Sequence, residues 1–210
     1  MISLSPSGCR ATLTPQQLDE LRAEFSSLHT LKFEGFLAPP LLAIVARFLQ
    51  EVPFHEHSDG IARELKMEDN VGVHMLRLQM NDRKLHEVIA RITGYDNIHS
   101  FKGRIYRMRP GGEHRDNWHD DFGEGRLIGM SINLSPEPYE GGTFQIKYRD
   151  TDRLIRTLPN LGPGDAILFR LGDNFLHRVS PIEGAKDKTA FAGWFQSQDD
   201  FADFLKQPPA

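Results

Sequence analysis

A mainly β domain supported by N-terminal helices is the fold class the sequence predicts, on three observations. Apolar residues recur at helical spacing chiefly within the first hundred positions. After about residue 100, short runs rich in β-branched and aromatic residues take over. Glycine- and proline-rich clusters punctuate those runs, the pattern of an all-β sandwich or barrel.

The helical signals come first. Thr14-Pro15-Gln16-Gln17 combines a capping box with proline at the first helical position, and Leu18, Leu21 and Phe25 follow on one face. Ala38-Pro39-Pro40 opens a second helix, whose stripe is Leu41, Leu42, Ile44, Val45, Phe48 and Leu49. Asn81-Asp82 caps a third, with Leu85, Val88, Ile89 and Ile92 aligned and Gly94 ending it. Between the second and third, 61–65 and 73–78 read as strands.

Further strands are expected at 103–109, 127–134, 143–147, 165–169, 177–181 and 189–196. Pro110-Gly111-Gly112, Gly141-Gly142, Gly162-Pro163-Gly164 and Glu183-Gly184 supply the turns between them. None of these is a phosphate loop, because no strand–glycine–helix context with a P-loop lysine follows. No internal repeat or long linker is visible. The expected organisation is one domain: 1–99 a helical or mixed support, 100–197 the β core with the functional site, and 198–210 a tail.

The 210-residue chain is long enough for a substantial core, and its formal net charge of -4 argues against a general nucleic-acid or anionic-membrane binder. Cys9 is the only cysteine, which excludes a disulfide framework and a cysteine-based zinc cluster and reads as an inert thiol near a mobile terminus. Residues 1–6 lack the charged and apolar regions of a secretory leader, and no apolar run is long enough to span a bilayer. A cytoplasmic location is expected.

Chemistry enters at Asn117-Trp118-His119-Asp120-Asp121, answered downstream by Phe175-Leu176-His177-Arg178-Val179. In an extended strand, residues i and i+2 share a face, so His119 and Asp121 can aim at one point while His177 arrives from another strand. Two imidazoles and one carboxylate with open positions opposite form the ligand set of non-haem Fe(II) oxygenases. Nine histidines among 29 acidic residues also produce His-x-Asp by chance, and His114-Arg115-Asp116 is a second copy.

The order of residues beyond these pairs resembles the Fe(II)- and 2-oxoglutarate-dependent dioxygenases, in their prolyl 4-hydroxylase-like branch. Tyr106, His119-x-Asp121, Gly125-Arg126 and Ile132-Asn133-Leu134-Ser135 are followed by Tyr139-Glu140-Gly141-Gly142 and Gly162-Pro163-Gly164-Asp165. His177-x-Val179-x-Pro181, Gly184, Lys188 and Trp194-Phe195 complete the series. The resemblance implies a double-stranded β-helix, the jelly-roll or cupin-like double sheet, with the metal between its sheets.

It also implies His119, Asp121 and His177 as ligands of Fe(II), because the compact turn from Phe122 to Gly125 before Arg126 fits the pattern better than the longer excursion from His114. Trp118 is placed to pack beside a ligand histidine, and His114 is either a loop residue or a contact near the mouth of the site. Lys188 stands where the family puts the cation for the far carboxylate of 2-oxoglutarate, with Lys186 as the fallback. Tyr106 and Asn133 would complete that binding, although relatives often use a tyrosine at the second position. Thr143 and Thr189 are further hydroxyls for it.

The implied reaction uses Fe(II), 2-oxoglutarate and O2, releases succinate and CO2, and hydroxylates a small-molecule or peptidyl substrate. Desaturation and ring closure are related outcomes, whereas the presence of Asp121 disfavours halogenation. Two other readings remain: a cupin-like metal enzyme that does not use 2-oxoglutarate, and a non-catalytic β-helix module. Substrate choice is expected in the N-terminal helices and the Tyr148–Pro159 loop, where Arg149, Arg153 and Arg156 could meet an acidic group. Nucleic acid is not an expected partner: Arg104, Arg107, Arg109 and Arg115 could build such a role, but Arg107 and Arg109 alternate with Tyr106 and Met108 and read as the solvated strand face. The oligomeric state is not legible.

Overall fold

The structure, a computed structural model, describes residues 1–123 and 125–198. The expected 198–210 tail therefore lies almost wholly outside the described residues. A hairpin of β1 (Ile2–Ser5) and β2 (Gly8–Ala11) leads into α1 (Pro15–Leu28), β3 (Thr30–Phe33) and α2 (Pro39–Glu51). A second hairpin, β4 (Phe54–Ser58) and β5 (Ala62–Met67), precedes α3 (Val71–Met80) and α4 (Arg83–Thr93). The β region follows as β6 (Ser100–Met108), β7 (Arg115–Asp116), β8 (Arg126–Asn133), β9 (Glu140–Gly141), β10 (Phe144–Tyr148) and β11 (Leu154–Leu158). It ends with β12 (Ala166–Arg170), β13 (Phe175–Val179), β14 (Ile182–Glu183) and β15 (Lys188–Gln196).

Local chemistry accounts for the helix ends. The Thr14 hydroxyl accepts from the Gln17 amide while the Gln17 side chain accepts from the Thr14 amide, closing the expected capping box. Asp82 accepts the Lys84 and Leu85 amides at the start of α4, and its other oxygen takes the Cys9 amide. Cys9 is thus fixed in β2 rather than near a loose end, and burial, with the Asp82 charge adding to it, pushes its thiol up to about 11. The strand expected at 73–78 is helical instead. Asn70 caps Gly72 and Val73, and the buried Val73, Leu76 and Met80 follow helical spacing.

Besides the two-stranded pairs β1-β2 and β14-β9, the strands build two antiparallel sheets that face each other, with the order β3-β12-β8-β15-β6-β5-β4 in the large one and β11-β10-β13 in the small one. This is the jelly-roll double sheet. Helices cover the outer face of the large sheet, where Phe25, Leu41, Leu76 and Ile89 meet Ile128, Ile132, Phe191 and Phe195. Between the sheets, Phe144, Ile146, Leu158, Ile167, Phe169 and Leu171 form a smaller apolar core.

The loop expected at 148–159 contains β11, a half-exposed edge strand paired to β10. Its arginines have internal partners: Arg156 reaches Glu24 on α1, Arg153 lies over Tyr148, and Arg149 binds Asp120.

Candidate metal centre and its cavity

Between the sheets lies a cavity of about 340 Å3 whose wall includes His119, Asp121 and His177. One ligating atom from each of the three residues lies within 4.8 Å of the others. Asp121 Oδ2 is 3.3 Å from His119 Nε2 and 3.4 Å from His177 Nε2. His177 sits within β13. His119 belongs to no regular strand and is held by a two-way backbone bridge to His177, with N···O distances of 3.1 and 2.8 Å. Extended i, i+2 geometry does not carry the pair as expected: Asp121 has φ 53°, a left-handed turn that swings its carboxylate back to the imidazole.

The surroundings orient each group. His119 Nδ1–H donates to the Asn117 carbonyl at 2.7 Å, leaving Nε2 as the free ligating atom. The half-buried Asp116 carboxylate approaches the same Nδ1 at 3.4 Å and accepts the Val179 amide at 2.7 Å. Trp194 Nε1 donates to Asp121 Oδ2 at 2.9 Å, and Arg126 lies over the Trp194 ring, 3.7 Å from Asp121 Oδ1. Phe169 and Phe144 pack on the His177 ring at 4.7 and 5.9 Å.

These contacts set the charges. Burial works against protonation of His119, but the hydrogen bond it donates to Asp121 and the Asp116 and Asp121 charges outweigh it and raise the imidazole to about 9. Burial would raise Asp121, yet the two histidines hold its carboxyl well below the usual range. Burial lowers His177, and the neighbouring His119 charge adds to the effect. Two neutral imidazole nitrogens and one carboxylate converge here as donors. That set fits Fe(II), provided the metal displaces the His119 proton.

Lys188 is buried on β15, and its Nζ donates to the Gly142 carbonyl at 2.8 Å above the Tyr139 ring. Among the described residues no carboxylate lies within ion-pair distance, and burial lowers the ammonium to about 8. A buried ammonium without an anion is costly, which suits a site that receives one. Ala190 and Ala192 lie between Lys188 and Trp194 on the same strand face, keeping the floor low. Tyr106, opposite Ala190, reaches Ser131 with its hydroxyl.

Other expected residues are placed elsewhere. Asn133 is buried, but its amide donates to the Gly162 carbonyl and accepts the Ser135 amide, so it fixes a turn rather than facing a ligand. Ser131, two residues earlier, takes the cavity position beside Tyr106; strand alternation from Asn133 could have found it. Lys186 is exposed and paired with Glu137. Thr189 accepts from Arg107 Nε, and the Thr143 hydroxyl meets Ser180. His114 Nδ1 accepts the Arg109 amide at 2.8 Å and so braces the turn after β6. Trp118 lies between Lys147 and Arg178; Trp194 is the tryptophan that touches the triad.

Comparison with known proteins follows this geometry. Residues 103–196 match the family model described as the 2OG-Fe(II) oxygenase superfamily. No match was found among curated proteins. Among solved structures, a Pseudomonas putida prolyl-4-hydroxylase superposes with TM-score 0.64 at 16% identity, covering 86% of this chain and 99% of that one. An oxidoreductase of the 2OG-Fe(II) oxygenase family from Burkholderia pseudomallei gives TM-score 0.66 at 14% identity, covering 90% and 94%. The non-heme α-ketoglutarate dependent epimerase SnoN from nogalamycin biosynthesis gives 0.64 at 14%, covering 94% and 92%.

Proposed function

We propose that this chain, whose residues 103–196 match the 2OG-Fe(II) oxygenase superfamily model, is an oxidoreductase using Fe(II), 2-oxoglutarate and O2. His119, Asp121 and His177 hold the metal, Lys188 and Tyr106 hold 2-oxoglutarate, and the substrate leaves hydroxylated. The observation that carries the assignment is the convergence of three ligating atoms within 4.8 Å inside the cavity.

Bound Fe(II) would supply the oxidative chemistry, with 2-oxoglutarate and O2 consumed and succinate and CO2 formed. The chain's own residues bind and orient. The Asn117 carbonyl fixes the His119 tautomer, and the Trp194 indole steadies one oxygen of Asp121. Lys188 offers its ammonium to the far carboxylate of 2-oxoglutarate, and Tyr106 with Ser131 adds hydroxyl donors along the way. Phe144 and Phe169 keep water from the inner side of His177.

Anaerobic titration of metal-free protein with Fe(II) and then 2-oxoglutarate tests the assignment through the visible charge-transfer band. The band should need both additions, vanish in His119→Ala, survive in His114→Ala, and need at least about tenfold more 2-oxoglutarate in Lys188→Ala. No band in the wild type would remove the 2-oxoglutarate reading. SnoN shares the fold and is an epimerase, so the substrate's gain of one oxygen must be read directly by mass.

A further inference from the structure

The cavity wall holds a second charged group that metal and co-substrate leave unused. Arg104 on β6 and Glu64 on β5 both face it, and Arg104 Nε donates to Glu64 Oε1 at 2.9 Å. The Glu64 side chain is 6% exposed and that of Arg104 28%, so the carboxylate is the fixed inner partner and the guanidinium opens onto the cavity. Nε is the nitrogen committed to Glu64. Among the described residues, no partner contacts the two terminal nitrogens of Arg104 or the second oxygen of Glu64.

The pair lies beside the metal ligands. Arg104 is two residues from Tyr106 on one strand face, and it feels the charge of Asp121. A guanidinium pinned through Nε keeps a two-pronged donor edge for a carboxylate. Its neighbour Glu64 offers an acceptor for an ammonium. Asp59 and Asp116 line the same cavity, so an anion alone would meet an acidic wall, whereas a zwitterion adds no net charge. Ile61, Ala62 and Val179 give the remainder of the wall an apolar surface for an aliphatic part.

We infer that the Arg104–Glu64 pair is the substrate-reading element of this oxygenase and selects a free amino acid, with the α-carboxylate on Arg104 and the α-ammonium on Glu64. The inference rests on the reading of the site as an Fe(II)/2-oxoglutarate centre. It makes Arg104 and Glu64 specificity residues that touch substrate, and it makes a chain-internal peptide residue, which lacks both charges, a poor substrate.

The test loads the enzyme with Fe(II) and 2-oxoglutarate and follows succinate release with each common free L-amino acid. Any that stimulates is then compared with its α-carboxamide and its N-acetyl derivative. At least one free amino acid should stimulate, and either blocked form should raise KM about tenfold or more. Arg104→Gln should raise KM for the free acid by a similar factor yet change KM for the carboxamide less than about threefold, since the recognised group is already gone. Glu64→Gln should show the same pattern against the N-acetyl form, and Arg104→Lys should recover part of the loss.

Equal losses for acid and carboxamide would mean that Arg104 only shapes the cavity, and would overturn the inference. Stimulation by none of the free amino acids, or equally by their blocked forms, would also overturn it. Failure of the underlying reading looks different: the wild type would then lack the charge-transfer band altogether.

Discussion

The two faces of the large sheet use the same strands for opposite ends. On β6 and β15, Phe101, Ile105, Phe191 and Phe195 point to the helices and are buried among aliphatic side chains. Their strand neighbours Arg104, Tyr106, Lys188 and Trp194 point between the sheets, where charged and polar groups lie beside the smaller apolar core. Strand alternation makes this division possible within single residues of sequence. The helix face gains stability from apolar burial, while the inner face spends some of it on desolvated Lys188, Asp116 and Glu64.

The sharpest way to break the comparison is to truncate one residue from each face. His177→Ala should reduce substrate-dependent succinate release to background while the metal-free protein keeps its cooperative melt. Phe191→Ala, which removes a fully buried ring from the helix face, should cost about 3–5 kcal/mol in a denaturant titration. If both variants lost stability alike, the two faces would not divide the work.

Gly129→Ala probes the point where the faces meet. A Cβ there would stand 2.2 Å from the Phe169 ring, and Phe169 packs on His177. Overpacking of about 1–3 kcal/mol is expected, together with weaker Fe(II) binding; unchanged metal affinity would show that Phe169 yields without moving His177.

A further effect is in pH. Burial depresses Lys188 from its ordinary 10.5 to about 8. Between those values the unfolded chain binds more protons than the native one, so this group makes stability rise with pH across that window. Below about 8 both states are protonated and the burial cost is fully present. Lys188→Met should flatten the slope. In the same window 2-oxoglutarate binding should take up a proton, its affinity falling about tenfold per pH unit, as calorimetry in buffers of differing ionisation enthalpy would report.

Much of this was legible in the sequence. The capping box at Thr14, the cap at Asp82, and the strands around 103–109 and 189–196 are local signals, and the structure repeats them within a residue or a few. The segment 73–78 misled because alternation in Val73-His74-Met75-Leu76 competes with its helical spacing, and the Asn70 cap tips the balance. The polar, half-exposed β11 carries no strand pattern of its own and exists through pairing with β10.

The sequence by itself determined which residue types would be available as donors: the His119–Asp121 pair, the distal His177 and a lysine beyond it. Tertiary structure alone decided how they meet. The left-handed turn at Asp121, the backbone bridge from His119 to His177, and the Trp194 indole on the carboxylate all depend on strands far apart in the chain. So do the assignment of Asn133 to a turn and the pairing of Arg104 with Glu64. Caps and strand alternation involve neighbours within a few residues, whereas register across a sheet is settled only when distant strands pack together.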